Sequence, residues 1–101
     1  MAQRYPSFAE FYPFYLSEHG NRTCRRLHFI GSLVVLALLA SAAITRIWWL
    51  LLFMPVAGYG FAWVGHFVFE KNRPATFTYP LYSLAGDWVM FFSILTGKIS
   101  F

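Results

Sequence analysis

Leu27-His28-Phe29-Ile30-Gly31-Ser32-Leu33-Val34-Val35-Leu36-Ala37-Leu38-Leu39-Ala40-Ser41-Ala42-Ala43-Ile44-Thr45 is a run of 19 residues without Asp, Glu, Lys or Arg. As a helix it is about 28 Å long, close to the thickness of a bilayer's hydrocarbon core. Arg22, Arg25 and Arg26 precede it and Arg46 follows it. Beyond Arg46, Trp48 and Trp49 sit where amphipathic rings prefer a membrane interface, and residues 47–65 form a second apolar span. Only a tight turn separates the spans, so they form an antiparallel hairpin. Pro55, near the middle of the second span, is expected to kink it. The first run is too long for the apolar region of a secretory leader, and an aromatic segment rather than a short basic one precedes it.

Outward from the hairpin, residues 1–6 read as a tail. Ser7-Phe8-Ala9-Glu10 reads as a capping box that opens a short helix over 7–19. That helix is rich in Phe and Tyr, disturbed by Pro13, and suited to lying in the interface. A third apolar run, residues 81–97, contains Asp87 and is expected to span as well. The expectation is one all-α membrane domain over 1–101, with an interfacial helix and three transmembrane helices. Composition agrees: hydrophobic residues make up 58% and charged residues 12% of the 101, against roughly 25% charged in a soluble domain. The net charge of +4 does not imply nucleic acid, because the cations flank apolar spans and leave no basic stripe. Cys24 is the only cysteine, which excludes an internal disulfide and offers a single thiol for labelling.

Hairpin topology places the start of span one and the end of span two on one side of the membrane. Arg4, Arg22, Arg25, Arg26, Lys71 and Arg73 fall there, while Arg46 and Lys98 fall opposite. The positive-inside rule makes the crowded side cytoplasmic. His19, His28 and His66 all lie on that side, with Glu18 and Glu70. Asp87 enters from the same side, roughly 10 Å into the third span. His66 and Glu70 share a helix face, and small Ala62 and Gly58 continue that face backwards, so another helix can approach it closely. Three imidazoles with one or two carboxylates suit Zn²⁺ or non-haem Fe²⁺, and two His with one carboxylate is the pattern of iron oxygenases. An Asp in lipid needs a partner, whether Arg26, a histidine or a metal. Two other readings use the same residues. One is a haem anchor with His28 and His66 as axial ligands. The other is a non-catalytic membrane protein whose histidines are solvated.

Tyr15-Leu16-Ser17-Glu18-His19, Arg26-Leu27-His28-Phe29-Ile30-Gly31 and Gly65-His66-Phe67-Val68-Phe69-Glu70-Lys71-Asn72-Arg73-Pro74-Ala75 together resemble the Mpo1-like family, over nearly the whole chain. The most specific part is the string Gly-His-x-x-Phe-Glu-Lys-x-Arg-Pro-Ala. The resemblance implies an Fe²⁺-dependent dioxygenase that acts with O₂ on 2-hydroxy fatty acids and shortens them by one carbon. It implies a membrane location, endoplasmic reticulum in a eukaryote or inner membrane in a bacterium. His19, His28 and His66 would be iron ligands or their close neighbours, and Glu70 a ligand or a base behind the ligands. Arg22, Arg25, Arg26 or Arg73 could hold the substrate carboxylate, since a guanidinium matches it with two parallel donors. Asp87 is outside the motif and is a catalytic candidate on its position alone. Longer members carry extra apolar segments between the motifs, and this chain has only the minimal hairpin.

Overall fold

The computed structural model describes residues 5–101, and among these every regular element is helical. Arg4, counted above with the cations, lies outside the described residues. Helix α1 runs Phe8–Ser17 and α2 runs Arg22–Thr45. A five-residue 3₁₀ segment, Trp48–Leu52, leads into α3, Phe53–Val64, which continues as a π-helical stretch over Gly65–Glu70. A 3₁₀ turn, Ala75–Phe77, precedes α4, Pro80–Leu95.

Local chemistry explains these boundaries. Ser7 Oγ accepts the Glu10 N–H at 3.3 Å and opens α1. Asn21 Oδ1 accepts the Cys24 N–H at 3.1 Å, so α2 begins five residues before the apolar run and carries Arg22, Arg25 and Arg26 in its first turns. Arg46, in the left-handed conformation at φ 60°, closes α2. The kink expected at Pro55 takes another form. Pro55 falls in the first turn of α3, where a missing N–H costs little, and the irregularity is taken up by the 3₁₀ segment just ahead of it.

Two helical stretches, Arg22–Thr45 and Trp48–Glu70, are long and apolar enough to cross a membrane. The third apolar run forms the 16-residue α4, about 24 Å at 1.5 Å per residue. It begins at Pro80 and lies against α1, α2 and the 75–77 turn. The core between α1 and α4 is Phe11, Tyr15, Ala75, Met90 and Ile94. Gly86 brings α4 onto the Tyr15 ring, since a Cβ there would stand 3.0 Å from two of its carbons. Gly65 does the same for the hairpin: a Cβ there would stand 3.0 Å from Cys24 Sγ and 3.2 Å from Cys24 Cα. The packing face that carries Ala62 and His66 is thus closed down on the start of α2.

Candidate metal centre

Three different elements deliver the histidines. His19 sits in the turn between α1 and α2, His28 in the second turn of α2, and His66 in the π-helical stretch. The wider π turn occurs where His66 must face inward, and such turns recur at functional sites. All three rings are buried, at 1%, 6% and 2% exposure. They pack edge to face on one another, with centroids 4.4, 4.5 and 4.9 Å apart.

Each ring is oriented through Nδ1. His19 Nδ1 donates to the Tyr15 carbonyl at 2.6 Å, His28 Nδ1 to the Cys24 carbonyl at 2.9 Å, and His66 Nδ1 to Asn72 Oδ1 at 2.7 Å. The Asn72 orientation is fixed independently, because its Nδ2 donates to the Glu18 carbonyl at 3.1 Å. Carbonyl oxygens only accept, so Nδ1 holds the proton in all three neutral rings and Nε2 is a bare lone pair. His19 Nε2 and His28 Nε2 stand 3.1 Å apart. Two lone pairs at that distance repel unless a proton or a cation lies between them.

A metal ion suits this arrangement. Two nitrogens about 2.1 Å from one ion stand roughly 3.0 Å apart at a right angle and roughly 3.4 Å at a tetrahedral one. A cavity of about 20 Å³ adjoins the rings, lined also by Ser83 and Asp87; that is room for about one water-sized ligand. The His28 and His66 rings meet edge to face at 4.9 Å, which leaves no plane for a porphyrin between them and argues against the haem reading. Cys24 lies within 4.8 Å of the three histidines by their ligand atoms. Its Sγ is 3.8 Å from His28 Nδ1, the ring nitrogen already engaged by the Cys24 carbonyl. Cys24 is itself buried, which corrects its expected use as an accessible thiol.

Burial, then the His28 and His66 rings, holds the His19 imidazole well below its ordinary pKa, so it stays neutral and able to ligate. Tyr15 stacks on His19 at 4.1 Å, and its hydroxyl donates to Asp87 Oδ1. Burial first, then the Asp87 charge, raises the Tyr15 phenol well above its usual range. Asp87 thus faces the cavity with one oxygen engaged. Ser83 Oγ is buried without a hydrogen-bond partner.

Other candidate residues stand further out. Glu70 Oε1 accepts the Asn21 N–H at 2.9 Å and steadies the turn that carries His19. Arg25 Nη1 donates to the His19 and Gly20 carbonyls at 3.2 and 3.0 Å. Arg26 Nε donates to the Phe101 main-chain oxygen at 3.0 Å, and its guanidinium lies over that residue's ring. Arg73 lies over Phe77 and lines a separate cleft with Glu18. Arg22 is exposed at the start of α2. None of Arg22, Arg26 and Arg73 lines the cavity beside the histidines. Asn72 and Tyr15, which orient two ligands, were not singled out by sequence reasoning. Tyr15 carried a signal in lying four residues before His19; Asn72 falls at a variable position of its motif.

Residues 5–99 match the family described as 2-hydroxy-palmitic acid dioxygenase Mpo1-like. The chain belongs to the Mpo1-like family. Neither the curated proteins nor the solved structures yield a match. The Mpo1-like match spans every element from α1 to the end of α4 and takes in all three histidines, Asn72 and Asp87.

Proposed function

We propose that this Mpo1-like protein is an Fe²⁺-dependent dioxygenase of membranes that converts a 2-hydroxy fatty acid and O₂ to the acid one carbon shorter, CO₂ and water. The observation that carries the reading is the convergence of three buried imidazoles, with ligand atoms within 4.8 Å of one another, beside a small cavity, in a chain of this family. His19, His28 and His66 would hold the ion. Zn²⁺ would suit the same nitrogens but has no redox chemistry; iron supplies the one-electron reactivity that O₂ requires.

The residues around the cavity define what else binds. Three neutral imidazoles leave a divalent charge uncompensated in a buried site, so an anionic partner is favoured there. A 2-hydroxy acid brings a carboxylate and a neighbouring hydroxyl. Asp87 Oδ1 is taken by Tyr15, which leaves Oδ2 to accept the proton of the 2-hydroxyl. Ser83 Oγ, without a partner in the protein, donates to the substrate carboxylate. Asn72, Glu70 and Arg25 act through the histidines and the turn that bears His19. Arg22, Arg26 and Arg73 attract an anionic head group to this end of the hairpin instead of clamping it. Membrane lipid would be the solvent of the two long helices, and their cation asymmetry supports a metal centre on the cytoplasmic side. Exposed Lys71, changed to Cys in a Cys24→Ala background, tests the orientation with an impermeant thiol reagent: inverted vesicles label and intact cells do not.

The reaction is tested by iron content together with conversion of 2-hydroxypalmitate to pentadecanoate. One iron per chain and O₂-dependent conversion are expected, and both vanish in His66→Ala. Full iron and full turnover in that variant would sink the proposal.

A further inference from the structure

A second, larger cavity continues from the metal centre. Its volume is about 290 Å³, and it shares His28, Tyr59, Ala62 and Asp87 with the small cavity. Away from the histidines its walls are Ser32 and Val35 on α2, Met54 and Gly58 on α3, and Leu84 and Trp88 on α4. From His28 to Val35 it follows α2 for about 10 Å. Helix α4 packs chiefly on α1, α2 and the 75–77 turn, and the cleft lies between it and α3. Leu84, on the cleft wall, is 49% exposed, and Val56 on α3 and Leu81 on α4 are exposed apolar side chains of the same two helices.

We infer that this cleft is a lateral port that seats the first part of the substrate's acyl chain directly from the bilayer, with Gly58 keeping it open. The inference rests on the reading above that the head group sits among the histidines. Three observations select a single alkyl chain as the occupant. The cleft shares four wall residues with the metal cavity, its far walls are apolar apart from Ser32, and it runs along α2 between α3 and α4, away from the charged end. At roughly 30 Å³ for a water-sized group, 290 Å³ accepts about ten methylenes, and the rest of a long chain stays in lipid. Gly58 is the position where side-chain volume decides. A Cβ there would meet only Val35 Cγ2, at 3.5 Å, an ordinary contact. Gly58→Ala is therefore accommodated, and Gly58→Leu projects a branched side chain into the cleft.

The test reads binding without turnover. Trp48, Trp49 and Trp63 are changed to Phe, leaving Trp88 on the cleft wall as the sole fluorophore. The full chain, iron-loaded and kept free of O₂ in lipid nanodiscs, is titrated with 9,10-dibromo-2-hydroxystearate, whose bromines quench tryptophan on contact. Saturable quenching is expected, displaced by unbrominated 2-hydroxystearate, unchanged in Gly60→Ala, where a Cβ meets nothing within 4 Å, and weakened at least tenfold in Gly58→Leu. Iron content in the Gly58→Leu protein reports that the fold is intact; if iron is lost, Ser32→Leu narrows the cleft from α2 and should weaken quenching likewise. Quenching that both narrowing variants leave unchanged overturns the inference. So does saturation by dibrominated phospholipid that hydroxystearate fails to displace. Saturable, Gly58-sensitive binding in a protein that never turns over would support the port while refuting the proposed reaction.

Discussion

The two ends of the α2–α3 hairpin are made of similar helix and come out opposite in character. At the far end Ile44, Trp48, Trp49 and Leu52 are 82%, 60%, 59% and 75% exposed. At the near end Cys24, His28, Gly65 and His66 are buried, and the chain returns twice over them, through His19 and through Asn72. The far end presents apolar surface that water would not tolerate as a contiguous patch. The near end buries polar rings whose lone pairs face each other. Each is incomplete in a different way, and the proposed function completes them differently, with lipid around one and a cation inside the other. Both follow from one economy of sequence, in which most side-chain hydrogen bonds between distant parts of the chain are spent where the histidines meet.

The largest expected asymmetry is in metal content. His28→Ala or His66→Ala should abolish iron binding and turnover, whereas Trp48→Ala at the far end should leave iron per chain unchanged, by elemental analysis of the purified proteins. Next comes the shell behind the ligands. Asn72→Ala frees the His66 ring to turn or change tautomer and should weaken iron by roughly 10–100-fold. Asn72→Asp keeps an acceptor toward Nδ1 and should retain binding in a competitive chelator titration.

Packing gives a smaller contrast between two glycines of the same span. A Cβ at Gly65 would press on Cys24 at 3.0 Å, so Gly65→Ala should cost about 1–3 kcal/mol. A Cβ at Gly60 meets nothing within 4 Å, so Gly60→Ala should be neutral or stabilise by up to about 1 kcal/mol. Denaturation in micelles compares the two.

Acid should also act on the near end alone. His19 is held well below its ordinary pKa by burial, so the unfolded chain takes up a proton near pH 6.5 before the folded one does. Stability of the metal-free protein should therefore be level above that pH and fall as pH drops below it. His19→Gln should make the thermal-denaturation profile shallower across that range, and the two buried imidazoles that stay keep the rest of the slope. A slope unchanged by the loss of His19 would place the acid sensitivity elsewhere.

Much of this was legible in the residues. Two uncharged runs bounded by Arg specify the hairpin, and hairpin topology puts three histidines at one depth. What the sequence did not show depends on which atom meets which. The bare Nε2 of His66 follows from Asn72, six residues on, and the amide's direction follows from a Glu18 carbonyl on another element. Glu70 shares a face with His66 as spacing suggests, yet its carboxylate reaches the Asn21 N–H, because the π turn and the α1–α2 turn bring that donor closer. Cys24 looked like a free handle beside three arginines, and Gly65 packs directly on it. Arg26 and Arg73 find aromatic partners in Phe101 and Phe77, and such pairings carry no periodic signature. The small cavity beside Asp87 depends on where α4 comes to rest, which no local pattern encodes.

The central claim is that three imidazoles, and no sulfur, hold one metal ion at the buried end of the hairpin. Iron-edge X-ray absorption on the loaded protein tests it most directly. The expected spectrum has nitrogen and oxygen neighbours near about 2.1 Å with outer-shell scattering from three imidazole rings, at one iron per chain. A sulfur neighbour at about 2.3 Å, which would bring in Cys24, or scattering from fewer than three rings would contradict it.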